Sequence, residues 1–98
     1  MFTRQVTDAV TDDEYRLLQE SLVRRPEQGA IIQETGGVRK LRWRDEGRGK
    51  RGGLRIIYYW HSEREIFLML YAYRKNEQSD LTATQRKLLA QAVRQEFK

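Results

Sequence analysis

The sequence predicts an α+β domain: N-terminal helices, an antiparallel β-meander of three or four strands, and a closing C-terminal helix. Three observations predict it. Two capping-box signatures, Thr11-Asp12-Asp13-Glu14 and Thr82-Ala83-Thr84-Gln85, each precede an apolar stripe at helical spacing. Between them, the segments around Leu41 and from Leu54 to Trp60 alternate apolar and polar residues as strands do. The total length of 98 residues suits one domain, spanning 1–98, and not two.

Taken in order, Phe2, Val6 and Val10 recur every fourth residue, which suits a short helix; the same residues also fit a period of two. At the first capping box, Thr11 accepts from the Glu14 amide while Glu14 reaches back, and the two aspartates suit the positive end of the helix dipole. Tyr15, Leu18 and Leu22 then share one face, and Pro26 stops the helix after Arg24 and Arg25. A loop containing Gly36 and Gly37 leads into the first expected strand, with Leu41 and Trp43 on one side and Lys40, Arg42 and Arg44 on the other.

The loop from Asp45 to Gly53 is rich in glycine, and a second strand follows. Its Leu54, Ile56, Tyr58 and Trp60 face one way; Arg55, Ile57 and Tyr59 face the other. "HSERE" makes a turn. Ile66 to Lys75 forms a third strand, apolar on both faces and hence expected in the centre of the sheet. Thr82 caps the last helix, whose expected stripe is Leu88, Leu89, Ala92, Val93 and Phe97. One sheet face is expected to pack on helices, leaving the other to carry arginines and tyrosines.

Charge gives the first functional indication. The formal net charge is +5, yet the segment Arg39–Arg55 alone holds eight basic residues against two acids, so the rest of the chain is close to neutral. A polyanion is the natural partner of such a surface. The hairpin brings Arg44, Arg55, Arg74 and Lys75 to one end of the sheet, with His61 at the other. Lys40, Arg42, Arg55, Tyr59 and Lys75 are expected to converge, offering cations for phosphates and tyrosines for stacking, the combination suited to single-stranded nucleic acid. The bland reading is a solvated positive face; strand alternation, which gathers the charges on one side, favours contact.

Several classes are disfavoured. The absence of cysteine removes disulfides and thiolate metal sites and suits a reducing, cytoplasmic setting. With one histidine, His61, a histidine-based metal site is not expected, and no cofactor is called for. The first residues lack a signal-peptide pattern, and the longest apolar run is too short to span a bilayer, so no membrane association is expected. Clustered carboxylates, as a metal-dependent nuclease needs, are also wanting: Asp12, Asp13 and Glu14 have a capping role, and Asp45 with Glu46 sit in a loop. His61, in a turn, reads as polar surface more readily than as a base.

A metal-free route to RNA cleavage is open. A base takes the proton of a ribose 2′-hydroxyl, which attacks the adjacent phosphate; cations stabilise the transition state; an acid protonates the leaving 5′-oxygen. Lys40 and Lys75 are the candidates for proton transfer, and Arg55, with its bidentate guanidinium, for the phosphate clamp. Composition alone does not select this chemistry over plain RNA binding.

The blocks "GGVRKLRW", "GRGKRGGLRIIYYW" and "YRKNEQSDLTATQRKLLAQAV", in this order, resemble the HigB-like branch of the RelE/ParE toxin superfamily, from Thr11 onward. The resemblance implies a toxin of a type II toxin–antitoxin system. It implies an endoribonuclease that cuts message on the ribosome without a metal. It also implies a cognate antitoxin, usually with a helix-turn-helix domain through which the pair touches operator DNA.

By position, Arg55 matches the phosphate-holding arginine of RelE-type enzymes. Lys40 and Arg42 fall near strand lysines with general-base and transition-state roles, and Lys75 and Asn76 fall where a basic residue often follows the last strand. Arg44, Arg48, Lys50, Arg51, Tyr59 and Arg74 would contact ribosomal RNA or message. Two departures stand out. Thr82 occupies the place where some members have a tyrosine, which leaves the acid among Tyr71, Tyr73 and Lys75. The family's opening strand falls on Phe2–Val6 or is missing. Other readings are a non-catalytic RNA- or ribosome-binding protein, a remnant that only binds antitoxin, and a ParE-like gyrase inhibitor, the last disfavoured by the density of basic residues. Because Arg55 is assigned to the polar sheet face, its removal is expected to leave folding nearly intact.

Overall fold

The computed structural model describes residues 11–43, 53–74 and 77–97. Helix α1 (Asp12–Arg24) is followed by β1 (Ala30–Ile31), β2 (Arg39–Trp43), β3 (Leu54–His61) and β4 (Ile66–Arg74), and α2 (Ala83–Glu96) closes the chain. The strands form one antiparallel sheet in the order β1-β2-β3-β4. This is the expected α+β architecture.

Both capping boxes form. The Thr11 hydroxyl accepts from Glu14 N–H at 3.1 Å and the Glu14 carboxylate accepts from Thr11 N–H at 2.9 Å. Thr82 and Gln85 repeat the exchange at 3.0 Å in each direction. Each box satisfies helix N–H groups that lack a carbonyl partner within the helix.

Two differences from expectation concern the strands. Residues expected in a loop supply β1, which pairs Ala30 with Lys40 and Ile31 with Arg39. The central long strand is β3, hydrogen-bonded on both sides, whereas β4 is an edge of the sheet among the described residues. The apolar character of β4 on both faces has another cause. Ile57 pairs with Tyr71 but Tyr58 pairs with Met69, so one extra residue is inserted in β4. This bulge turns the consecutive residues Leu70 and Tyr71 toward the same side.

The larger correction concerns the layers: helices cover both sides of the sheet. Leu18 and Leu22 of α1 pack with Leu41, Leu54, Ile56, Tyr58, Met69 and Ala72 on one face. Leu89 and Val93 of α2 pack with Val38, Ile57, Leu70 and Tyr73 on the other. The face expected to stand open with arginines and tyrosines is therefore half occupied by α2. The helix can dock there because Ile57 and the bulged Leu70 supply an apolar floor beside the charged residues. The buried stripe of α2 is Leu89, Ala90 and Val93; Leu88 is exposed.

Tyr58 locks the start of the sheet to the end of α1. Fully buried, it donates to the Pro26 carbonyl at 2.8 Å and accepts from Gly29 N–H at 2.9 Å. Arg39 braces the same turn, donating to the Gly29 carbonyl at 2.7 Å and the Glu27 carbonyl at 3.1 Å. At the other end of β3, His61 stacks on Phe97 with ring centroids 4.3 Å apart, and its Nδ1 accepts from Arg64 N–H at 3.2 Å. Phe2, Val6 and Val10, and with them the question of an opening strand, lie outside the described residues.

Candidate nucleic-acid interface

Cross-strand partners share a sheet face. The register sets Arg42 beside Arg55 and Arg55 beside Tyr73, making one row across β2, β3 and β4. The next row on the same face is Lys40, Ile57 and Tyr71. Three of the four expected catalytic residues, Lys40, Arg42 and Arg55, are thus neighbours on adjacent strands. The fourth, Lys75, lies outside the described residues, as do Arg44, Arg48, Lys50, Arg51 and Asn76.

The environments of the three differ. Arg42 is exposed. Arg55 is buried, with 8% of its surface accessible. Its Nη1 lies 3.7 Å from the place a Cβ would occupy on Gly53, whose φ of 57° favours glycine. The expectation that Arg55 projects from an open polar face is corrected accordingly: Arg55 is buried, while Leu81, Leu89 and Val93 pack on Tyr73 at the β4 end of this row.

Lys40 donates to Asp80 Oδ1 at 3.3 Å. Asp80 also accepts from Leu81 N–H at 2.8 Å, and Arg86 approaches its second oxygen at 3.9 Å. That backbone hydrogen bond, reinforced by Lys40 and Arg86 against a smaller opposing effect of burial, holds the Asp80 carboxyl below its ordinary range. The Asp80 carboxylate thus sits among two cations and an N–H. Asp80 was not among the residues singled out from sequence. The signal available was its place in the connector ahead of the Thr82 cap, but its partner is forty residues away and no local pattern reports that contact.

Beside this ion pair lies a network of neutral groups. The Tyr71 hydroxyl donates to Gln78 Oε1 at 3.0 Å and accepts from Gln85 Nε2 at 3.4 Å. Gln78 Nε2 donates to the Asp80 carbonyl at 2.8 Å and to Gln85 Oε1 at 3.0 Å. The network fixes the connector and the first turn of α2 over the charged rows.

Two expected RNA contacts are not brought into this cluster. Tyr59 lies on the same face, but its ring packs against Phe97, just past the end of α2, at a centroid distance of 5.4 Å, so part of a ring expected to stack bases is taken up within the fold. Arg74 pairs with Leu54 and so falls on the α1 side of the sheet. Its backbone N–H donates to Glu77 Oε1 at 3.1 Å. Among the described residues, no three His, Cys, Asp or Glu side chains gather as metal ligands, and no helix is long and apolar enough to cross a membrane.

The described residues form two helices and a four-stranded antiparallel sheet, with Lys40, Arg42 and Arg55 on one sheet face. The family model describing the RelE toxin of the RelE/RelB toxin–antitoxin system matches residues 1–97. The chain belongs to this family and is a toxin of a type II toxin–antitoxin system, for which the family implies an antitoxin partner.

Proposed function

We propose that this toxin is an endoribonuclease that cleaves message bound to the ribosome, in the cytoplasm, without a metal. In this proposal a cognate antitoxin with a helix-turn-helix domain restrains it, and contact with operator DNA runs only through that partner. The observation that carries the reading is the pairing of Arg42 with Arg55 across β2 and β3, with Lys40 two residues along the same face. Three cations on one rigid patch suit a phosphodiester whose charge grows in the transition state. Arg55, fixed by burial, is the proposed clamp on the scissile phosphate. Arg42, exposed beside it, stabilises the developing charge.

Lys40 and Lys75 are the proposed groups for proton transfer at the 2′-hydroxyl, and the 3.3 Å contact with Asp80 positions the Lys40 side chain beside the two arginines. The attack would leave a 2′,3′-cyclic phosphate and a 5′-hydroxyl. Arg44, Arg48, Lys50, Arg51 and Asn76 are the proposed contacts to ribosomal RNA and message.

The test is to add the purified protein to a translating bacterial extract with a defined message, and in parallel to EDTA-treated free RNA. New ends confined to ribosome-bound message, carrying a cyclic phosphate, are expected. Halted translation with intact message would instead identify a ribosome binder that does not cut.

A further inference from the structure

The Tyr73 hydroxyl, one of the acid candidates left open by the family resemblance, takes no part in the hydrogen bonding of the fold. Its side chain is 3% exposed, and the hydroxyl is buried with no hydrogen-bond partner. Buried hydroxyls are ordinarily satisfied, and a native exception calls for an explanation. The neighbouring Tyr71 makes the contrast plain, because its hydroxyl both donates and accepts within the glutamine network.

Tyr73 is also placed where a ligand phosphate would be held. It is the direct cross-strand partner of Arg55, in the row that Arg42 begins. The Arg55 guanidinium and the Asp80 carboxylate are both close enough to act on its hydroxyl electrostatically. A phenol in this position, kept protonated by burial above all, is a donor at neutral pH.

From the register pairing of Tyr73 with Arg55 and the unpartnered hydroxyl, we infer that Tyr73 is a second donor to the phosphate held by Arg55. It is a ligand-binding residue contributed by β4. The inference rests on the phosphate-clamp reading of Arg55 and adds to it a neutral donor from β4. The phosphate takes the hydrogen bond that the free protein leaves unmade. Because the hydroxyl is buried, the phosphate reaches it through a local opening of the fold around Tyr73.

The probe is inorganic phosphate, titrated against chloride at matched ionic strength, with the melting temperature of the full chain as readout. Wild type, Tyr73→Phe and Arg55→Ala are compared, each also scored for cleavage of ribosome-bound message. Tyr73→Phe is expected to melt no lower than wild type without phosphate, because the deleted hydroxyl has no partner to lose. Its phosphate response is expected to fall about tenfold or more in apparent affinity, the scale of a hydrogen bond to a charged group. Cleavage is expected to fall with it.

A Tyr73→Phe protein with undiminished phosphate response and cleavage, beside an Arg55→Ala protein that has lost both, would overturn the inference and leave the clamp standing. A response absent from wild type, or surviving both substitutions, would overturn the inference and the clamp together.

Discussion

Lys40 on β2 and Asp80 ahead of α2 are joined by a 3.3 Å ion pair between residues forty positions apart. The contact ties the cationic strand to the segment that starts the covering helix. It also gives Lys40 an internal anion in place of an external one.

Asp80→Asn therefore has two expected consequences. Binding of anionic RNA should strengthen, because a carboxylate no longer competes for Lys40 and Arg86. Stability at neutral pH should fall only slightly, by about 1 kcal/mol or less, because the pair is half exposed and solvent screens it. The sign with pH follows from the lowered ionisation of Asp80, caused first by the Leu81 N–H bond and then by Lys40. A depressed carboxylate contributes stability above its unfolded value, near 3.8, and loses it as pH falls through the lower folded value. Melting curves of wild type and Asp80→Asn should thus converge as pH drops below that range. A gap that widens toward acid would contradict the assignment.

Tyr58 should behave as the opposite of Tyr73. Its hydroxyl joins the Pro26 carbonyl and the Gly29 N–H, so Tyr58→Phe strands a buried N–H and a part-buried carbonyl. The expected cost is about 1–3 kcal/mol, measured by urea unfolding. Gly29→Ala should also destabilise, since an added Cβ would lie 2.9 Å from the Tyr58 ring and 3.1 Å from the Lys40 carbonyl. Equal stability of Tyr58→Phe and wild type would remove Tyr58 as the lock between α1 and the sheet.

Thr82 caps the helix that covers the charged face. Thr82→Ala removes the acceptor for the Gln85 N–H and should cost about 1 kcal/mol. Because Gln85 also serves the Tyr71–Gln78 network, the loss should appear first as faster amide exchange in the connector and in the first turn of α2. Uniform change across the sheet would show that the cap acts only on global stability.

Much of the fold was legible because its signals are local. Thr11 with Glu14 and Thr82 with Gln85 are spaced three apart, and each pair closed as its spacing predicts. Strand alternation correctly put Lys40, Arg42 and Arg55 on one face. What was missed depends on distant partners. The two-residue β1 exists only by pairing with β2, and a pattern so short carries no period. An inserted residue in β4 gave an apolar run that mimics a central strand. The docking of α2 on the charged side follows from Ile57 and Leu70 meeting Leu89 and Val93, a contact that no single segment announces. For the same reason Asp80 and the unpartnered Tyr73 hydroxyl emerged only from the structure.

Burial changes what is expected of Arg55. Arg55→Ala would remove a guanidinium held inside the fold, so a loss of stability of about 1–3 kcal/mol should accompany any loss of function. The most direct test of the proposed site is the rate at which folded Arg55→Ala protein cleaves ribosome-bound message, with folding checked by its melting curve at the assay temperature. A folded variant slowed by about a hundredfold or more is the expected result, the scale for removing a group that stabilises transition-state charge. A folded variant that cuts at the wild-type rate would contradict the assignment of Arg55 as the phosphate clamp.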